Sequence, residues 1–351
     1  MSCVSLPPYN GSAGPTHDGP PGLGPALAAA DAVRGTTSPN PAVGCALYSA
    51  SGELIATGGT EPPGGAHAEV VALRKAGSRA TNATAVVTLE PCNHTGRTGP
   101  CSQALVEAGV TTVYYLTADP NPQASGGADY LRSRGVQVHY LPTVQPGLLP
   151  WLISVRNNRP AVTLKFAATI DGFTAAPDGT SQWITGTSAR EKVHEDRAKR
   201  DAIIVGTGTV LADDPSLTAR YPDGCLREKQ PRRVVVGTRM VPEGNLTRLG
   251  YEQYSHLDVA LEALYADGVR DVLVEGGPEL ATSFFEAGYV DLLQAYLAPM
   301  VMGDGRSVLT RGLAGTLSEM PRLETVNVTL LGGDTLIEMT KGEYIDVYWP
   351  R

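Results

Sequence analysis

The apolar positions of this chain switch repeatedly between a period of two and a period near 3.6, the spacings of strands and of amphipathic helices. Residues 1–24 are rich in Pro, Gly and Ser and predict a flexible extension, followed by an Ala/Leu-rich helix at 26–34. Two short apolar runs, 42–48 and 54–57, flank the turn pair Ser51-Gly52 and predict a hairpin. The alternation continues with a helix at 67–76, a strand at 85–89, a helix at 102–108, a strand at 112–116, a helix at 128–134 and a strand at 136–140. Strands alternating with helices predict an α/β layer sandwich over residues 25–145.

Pro142, Pro146, Pro150 and Pro160 surround a short helical stretch, and residues 146–160 read as a linker. A second α/β domain is expected over 161–351. Its strands are predicted at 162–168, 202–205, 233–236, 271–275 and 292–297, with two late ones at 325–331 and 335–339. Its helices are predicted at 189–199, 257–266 and 279–287. No repeat with a period of 20–50 residues is visible.

Length and composition narrow the picture. The 351 residues suffice for about two domains, and 42% hydrophobic with 18% charged residues is ordinary for a soluble globular protein. A net charge of −8 argues against a groove that tracks a phosphate backbone, so nucleic acid is not an expected partner. No apolar run approaches the ~18 residues of a membrane span, and the start lacks a secretory pattern. The five cysteines, at positions 3, 45, 92, 101 and 225, are odd in number and widely scattered, which points to a reducing, cytoplasmic compartment. Cys45 lies in an apolar strand and reads as a core residue, while Cys3 and Cys225 carry no visible chemistry.

Cys92 and Cys101 are different. His67-Ala68-Glu69 stands at the start of a predicted helix, and Pro91-Cys92 follows a predicted strand. His67, Cys92 and Cys101 offer one imidazole and two thiolates, three zinc ligands that leave a fourth position for water. If both motifs open helices, their positive ends favour thiolate at Cys92. Glu69, two residues past the histidine, is placed to carry a proton rather than to share the metal. This is the H-x-E … P-C arrangement of zinc deaminases, although the cysteines stand wider apart than in the common P-C-x-x-C form. Two cysteines alone could equally be core residues or a structural zinc site.

The run Thr88-Leu89-Glu90-Pro91-Cys92-Asn93-His94-Thr95-Gly96-Arg97-Thr98-Gly99-Pro100-Cys101 resembles the deaminase domain of the bifunctional riboflavin-biosynthesis deaminase/reductase family. Pro39-Asn40-Pro41-Ala42-Val43-Gly44-Cys45 and Ala66-His67-Ala68-Glu69-Val70 share that resemblance. Leu164-Lys165-Phe166-Ala167-Ala168-Thr169-Ile170-Asp171-Gly172, Ser181-Gln182-Trp183-Ile184-Thr185, Thr209-Val210-Leu211-Ala212-Asp213-Asp214-Pro215 and Val274-Glu275-Gly276-Gly277-Pro278 resemble its reductase motifs. The wide cysteine spacing is normal in that family.

The resemblance implies a cytidine-deaminase-like α/β/α sandwich followed by a dihydrofolate-reductase-like α/β domain, with Zn2+ and NADPH as cofactors. The implied substrate is a diamino-oxo-pyrimidine carrying a ribosylamino 5′-phosphate, first deaminated and then reduced from ribosyl to ribityl. It implies that Asn40, His94 and Arg97 touch the deaminase substrate, and that Ser181, Arg197, Leu217, Arg220 and Glu275 touch the reductase substrate. The implied cofactor positions are Ala167, Trp183, Thr185, Thr209, Asp213, Thr238, Gly277, Pro278, Glu279, Leu280, Ala281, Thr282 and Ser283. A homodimer or larger assembly is also implied. Two positions depart from the family: Gly99-Pro100 replaces a proline pair, and Gly237-Thr238 lacks the usual acidic residue.

The residues of the second half support part of this directly. Gly206-Thr207-Gly208 follows a strand, but Leu211 breaks the G-x-G-x-x-G pattern. Glu275-Gly276-Gly277-Pro278 follows an apolar strand and opens a helix, which sets free N–H groups beside a diphosphate. Arginines suit a ribose phosphate, and Lys165 with Asp213 or Glu275 are candidates for polarising and moving protons in a reduction at the sugar's C1. Competing readings are a zinc deaminase of another nucleobase or nucleotide fused to a reductase, and a reductase with a structural zinc.

Overall fold

The computed structural model describes residues 21–94, 99–121, 125–143 and 145–348. The extension expected over 1–24 falls almost wholly outside them, and Arg97 falls outside as well. The chain divides into two compact units, Met1–Val33 with Ala42–Thr143, and Arg34–Pro41 with Val144–Arg351.

In the first unit the strands are β1 (Gly44–Tyr48), β2 (Leu54–Gly59), β3 (Thr84–Val87), β4 (Thr112–Tyr115) and β5 (Gln137–Tyr140). The helices are α1 (Gly24–Ala32), α2 (Ala68–Ala76), α3 (Cys101–Glu107) and α4 (Gly127–Ser133). They form a five-stranded sheet in the order β2-β1-β3-β4-β5, in which β1 is antiparallel to both neighbours and β3, β4 and β5 run parallel. Consecutive strand residues point to opposite faces. A Cβ on Gly58 would stand 2.3 Å from the Ala68 carbonyl oxygen of α2, and one on Gly59 would stand 2.8 Å from the Ala29 carbonyl oxygen of α1. The adjacent glycines therefore let a helix approach each face of β2 at backbone contact, which makes the unit an α/β/α sandwich.

The second unit opens with α5 (Leu149–Asn157) and contains β6 (Ala161–Thr169), β7 (Phe173–Ala175), α6 (Thr187–Ala198), β8 (Ala202–Gly206), α7 (Thr207–Asp213) and β9 (Arg232–Val236). It continues with α8 (Asn245–Leu249), β10 (Glu252–Tyr254), α9 (Leu257–Ala266), β11 (Asp271–Val274), α10 (Pro278–Glu286), β12 (Leu292–Ala298), β13 (Arg306–Ser307), β14 (Glu324–Leu331), β15 (Asp334–Thr340) and α11 (Gly342–Tyr348). Its large sheet has the order β10-β9-β8-β11-β6-β12-β15-β14. The strands from β10 to β12 in that order are parallel, and β15 and β14 close the sheet antiparallel.

Parallel strands covered on both faces read as unbroken apolar runs, and β8 and β11 do so. Val162, Leu164, Ile204, Val234, Val272 and Phe284 pack the core on one side of this sheet. Ile203, Val205, Val235 and Leu273 pack the other. The stretch 146–160 carries α5, the short helical piece expected among its prolines, and Leu149, Leu152 and Ile153 of this helix are fully buried. Pro150 is tolerated there because it sits in the first helical turn, where no intrahelical N–H bond is lost. No helix among the described residues is long and apolar enough to cross a membrane.

Candidate active sites

The first site grows from two loops. In the first, Glu61 and Ala66 bond to each other through their backbones, and Glu61 Oε2 also accepts the Ala66 N–H at 2.7 Å. This closes the turn and delivers His67 as the N-cap of α2. In the second, Pro91-Cys92 lies in a loop, and Cys101 is the first residue of α3. Only one of the two cysteines therefore opens a helix, contrary to the expectation for Cys92. Cys92 nonetheless benefits from the helix start, because its Sγ accepts the Cys101 N–H at 3.5 Å.

A Cβ on Gly127 would stand 1.7 Å from the Pro91 carbonyl oxygen, so only glycine lets α4 press against this loop. The loop is also tied to α3 by the Ser102 hydroxyl, which donates to Asn93 Oδ1 at 2.8 Å.

His67 Nδ1 lies 3.6 Å from Cys92 Sγ and 3.3 Å from Cys101 Sγ, and the three donor atoms all fall within 4.8 Å of one another. Cys101 is fully buried and Cys92 nearly so. Hydrogen bonds from Cys101 and His67 pull the Cys92 thiol down, against burial, while Cys92 and burial push Cys101 up. One imidazole and two sulfurs converging at this spacing fit a zinc ion.

Glu69, the second residue of α2, is 4% exposed. Burial and the Cys92 charge raise its carboxyl to about 7. His94 is exposed on the bend after Asn93, and Asn40 sits in a turn closed by Thr37, in the segment that groups with the second unit.

The second site is a cavity of about 790 Å³ at the carboxyl ends of the parallel strands, where ligands of open α/β sheets bind. Lys165, Ala167, Ser181, Arg197, Thr209, Asp213, Leu217, Glu275, Gly277, Pro278, Glu279, Leu280, Ala281 and Ser283 line it. Gly277 is the N-cap of α10, and Thr209 Oγ1 accepts its N–H at 3.2 Å. Pro278 carries no N–H, the N–H groups of Glu279 and Leu280 in the first turn have no intrahelical partner, and all three residues line the cavity. Leu217 is buried with φ +51°, a conformation that costs a leucine energy and that recurs at ligand sites.

Arg197 and Glu275 form a bidentate pair at 2.7 and 2.8 Å, both mostly buried. Burial alone would raise the Glu275 carboxyl, but the Arg197 guanidinium, with Lys165 and His194 beyond it, holds it at about 2. The unfolded glutamate has the higher pKa and binds the proton first on acidification, so this pair stabilises the second unit above about pH 4.5. That stability, on the order of 3 kcal/mol, is expected to be lost as the pH falls from about 4.5 toward 2. Urea midpoints of the second unit measured across this range check it.

Five expected positions do not line the cavity. Thr282 is fully buried on the core side of α10, where its hydroxyl donates to the Pro278 carbonyl and accepts the Thr310 N–H. Trp183 is 68% exposed beneath the Arg190 guanidinium, which also holds the Thr185 carbonyl. Arg220 spends its guanidinium on Thr218 and Gly224 within its own loop, and Thr238 faces solvent. Residues that the sequence reading missed do line it, chiefly Thr207, Arg239, Ser255, His256 and Arg306. Arg239 follows β9 as Ser255 and His256 follow β10, and these strands are register partners.

Two family models match the chain in order. Residues 24–117 match the cytidine and deoxycytidylate deaminase zinc-binding region, and residues 160–337 match the RibD C-terminal domain. The riboflavin biosynthesis protein RibD of Corynebacterium ammoniagenes is 60% identical over 300 residues, spanning 83% of this chain and 89% of its own. The chain belongs to the RibD family.

RibD of Escherichia coli K12 is 37% identical, with 90% of this chain and 97% of its own covered. A solved RibD structure from Acinetobacter baumannii has a TM-score of 0.76 at 33% identity and covers 91% of this chain and 97% of its own. The diaminohydroxyphosphoribosylaminopyrimidine deaminase/5-amino-6-(5-phosphoribosylamino)uracil reductase of Thermotoga maritima has a TM-score of 0.76 at 31% identity, with the same coverage. As a RibD the chain is a bifunctional deaminase and reductase of riboflavin biosynthesis, with zinc and NADPH as its cofactors.

Proposed function

We propose that the first unit removes the 2-amino group of a diamino-oxo-pyrimidine ribosylamino 5′-phosphate and that the second reduces the ribosyl chain of the product. The observation that carries this reading is the convergence of His67, Cys92 and Cys101 within 4.8 Å beside the buried Glu69. These three residues hold zinc, which when bound supplies a Lewis acid that brings the pKa of water toward ~7. Glu69 takes the proton of the attacking water and hands it to the departing nitrogen, so that a C–O bond forms, the C–N bond breaks and ammonia leaves. Asn40, His94 and Arg97 are assigned to the pyrimidine and its phosphate, on family resemblance.

In the second unit, the first turn of α10 and Thr209 seat the cofactor diphosphate, and NADPH supplies the hydride. Lys165 presents its ammonium to the cavity and provides the proton to the sugar oxygen as the ring opens, and Asp213 faces the same space as a second proton carrier. Glu275 holds Arg197 so that its guanidinium edge meets substrate.

Arg239 has no ion-pair partner among the described residues, and its Nε bonds Thr207 Oγ1 at 3.2 Å, leaving its terminal nitrogens for the cofactor's extra phosphate. Arg239→Ala is expected to raise the KM for NADPH roughly tenfold with little effect on NADH, measured by steady-state oxidation of each.

A cytoplasmic location is supported by the free state of the described cysteines. Self-association is supported by Val328 and Leu330, 56% and 77% exposed on the edge strand β14. Stripping the metal with a chelator separates the two halves of the proposal. Ammonia release should vanish and return with zinc, while NADPH oxidation with the deaminated substrate persists. Ammonia release that survives full metal removal would refute the zinc assignment.

A further inference from the structure

Lys165 is presented to the cavity from a row of polar side chains beneath the sheet surface. It stands directly opposite Gln294 on β12, and Gln294 stands opposite Glu338 on β15. The three therefore share one face, the one on which α6 packs through Ala189 and Val193. One step along the same strands, Ala167 is paired with Tyr296 and Tyr296 with Leu336.

The orientation of Gln294 is decided by its neighbour. Its Nε2 donates to Glu338 Oε1 at 3.1 Å, and a carboxylate accepts but does not donate. Its Oε1 must then face the other way, toward the β6 side of the row. That oxygen is buried and has no hydrogen-bond partner. Lys165 Nζ likewise has none among the described residues, and it lies 5.4 Å from the ring centre of Tyr296, within range of a cation–π contact. An unpaired buried acceptor and an unpaired ammonium on directly opposed residues are costly apart and complementary together.

We propose that Gln294 and Tyr296 are positioning residues of the reductase site, a seat that holds the Lys165 side chain as a charged ammonium aimed at the cavity. The inference rests on the proton-donor assignment of Lys165 made above. Burial works against the charge on Lys165. The other groups that bear on this face are Glu275 after β11, Asp196 and Arg197 on α6, Arg200 just past its end, and Glu338 on β15, with His194 acting through Glu275. Arg197 opposes the ammonium and is already neutralised by Glu275, and Arg200 is neutralised by Asp196 and Asp271. The oxygen of Gln294 and the face of Tyr296 are the neutral groups that favour the ammonium without adding a second charge. Neither residue lines the cavity, so neither should alter cofactor binding.

The test uses the full chain with zinc, the deaminated substrate and NADPH, and follows single-turnover hydride transfer across pH. Gln294→Leu and Tyr296→Leu should each slow transfer about tenfold and move the alkaline limb of the profile to lower pH. The KM for NADPH should stay within about twofold, and ammonia release by the first unit should be unchanged. Tyr296→Phe, which keeps the ring, should leave the limb unmoved. A slower rate with an unmoved limb, or a raised NADPH KM, would mean a merely structural role and overturn the proposal. Lys165→Met is the separate arm for the assignment beneath it. Transfer that survives Lys165→Met would remove Lys165 as proton donor, whatever Gln294 and Tyr296 do.

Discussion

Replacing Glu69 by Gln is expected to lower ammonia release about a thousandfold. The substitution keeps the shape of the side chain at a 4%-exposed position and removes only its capacity to accept and return a proton. Zinc content should be unchanged, because the converging donors are His67, Cys92 and Cys101. Reduction of the deaminated substrate should also be unchanged, since the reductase cavity is lined by residues of the second unit alone. Zinc analysis with parallel assays of ammonia release and NADPH oxidation checks all three. Full ammonia release by Glu69→Gln would make the zinc structural and remove the proton-carrying assignment.

The second large effect is expected from Arg197→Met. Glu275 would be left in a buried position with its bidentate partner gone, and breaking a buried ion pair in this way costs about 3–5 kcal/mol. The acid response should change sign. In the parent protein Glu275 is held at about 2, so acid costs stability below about pH 4.5. Without the guanidinium, burial raises the carboxyl above its unfolded value, the folded state binds the proton first, and acidification toward pH 5 stabilises the variant. Glu275→Gln in the Arg197→Met background should recover much of the loss. Denaturant midpoints between pH 4 and 8 read both the cost and the slope. A variant that keeps the parent's pH slope would show that Arg197 does not govern Glu275.

Much of this was legible because the signals were local. The hairpin and the strand–helix alternation of the first unit lie within a residue or two of expectation, and the His67, Glu69, Cys92 and Cys101 pattern is a short-range one that the fold gathers. What escaped depends on long-range packing or on helical phase. The family resemblance implies one cofactor surface for the contiguous run from Gly277 to Ser283. Helical rotation turns Thr282 into the core, leaves Ala281 buried in the core with only an edge on the cavity, and keeps Ser283 on the cavity wall.

The short helical stretch expected among these prolines is α5, with Pro150 harmless at its start, whereas its burial could not be read from the sequence. Elements as short as β7, α8 and β10 give too few residues for a period to appear. Arg239, Ser255 and His256 lie beyond strand ends with no periodicity of their own, and only the pairing of β9 with β10 brings those ends together. Gln294 reads as one polar residue in an apolar strand until its register with Lys165 and Glu338 is known.

Whether one chain performs two reactions in a fixed order is read most directly from product mass. Zinc-replete protein is incubated with the diaminopyrimidine ribosylamino phosphate, with and without NADPH. A gain of about one mass unit is expected without NADPH, from exchange of an amino group for oxygen, and about two more when NADPH is present. A gain of two units with no preceding gain of one would contradict the order, and an unchanged mass under both conditions would contradict the assignment of both sites.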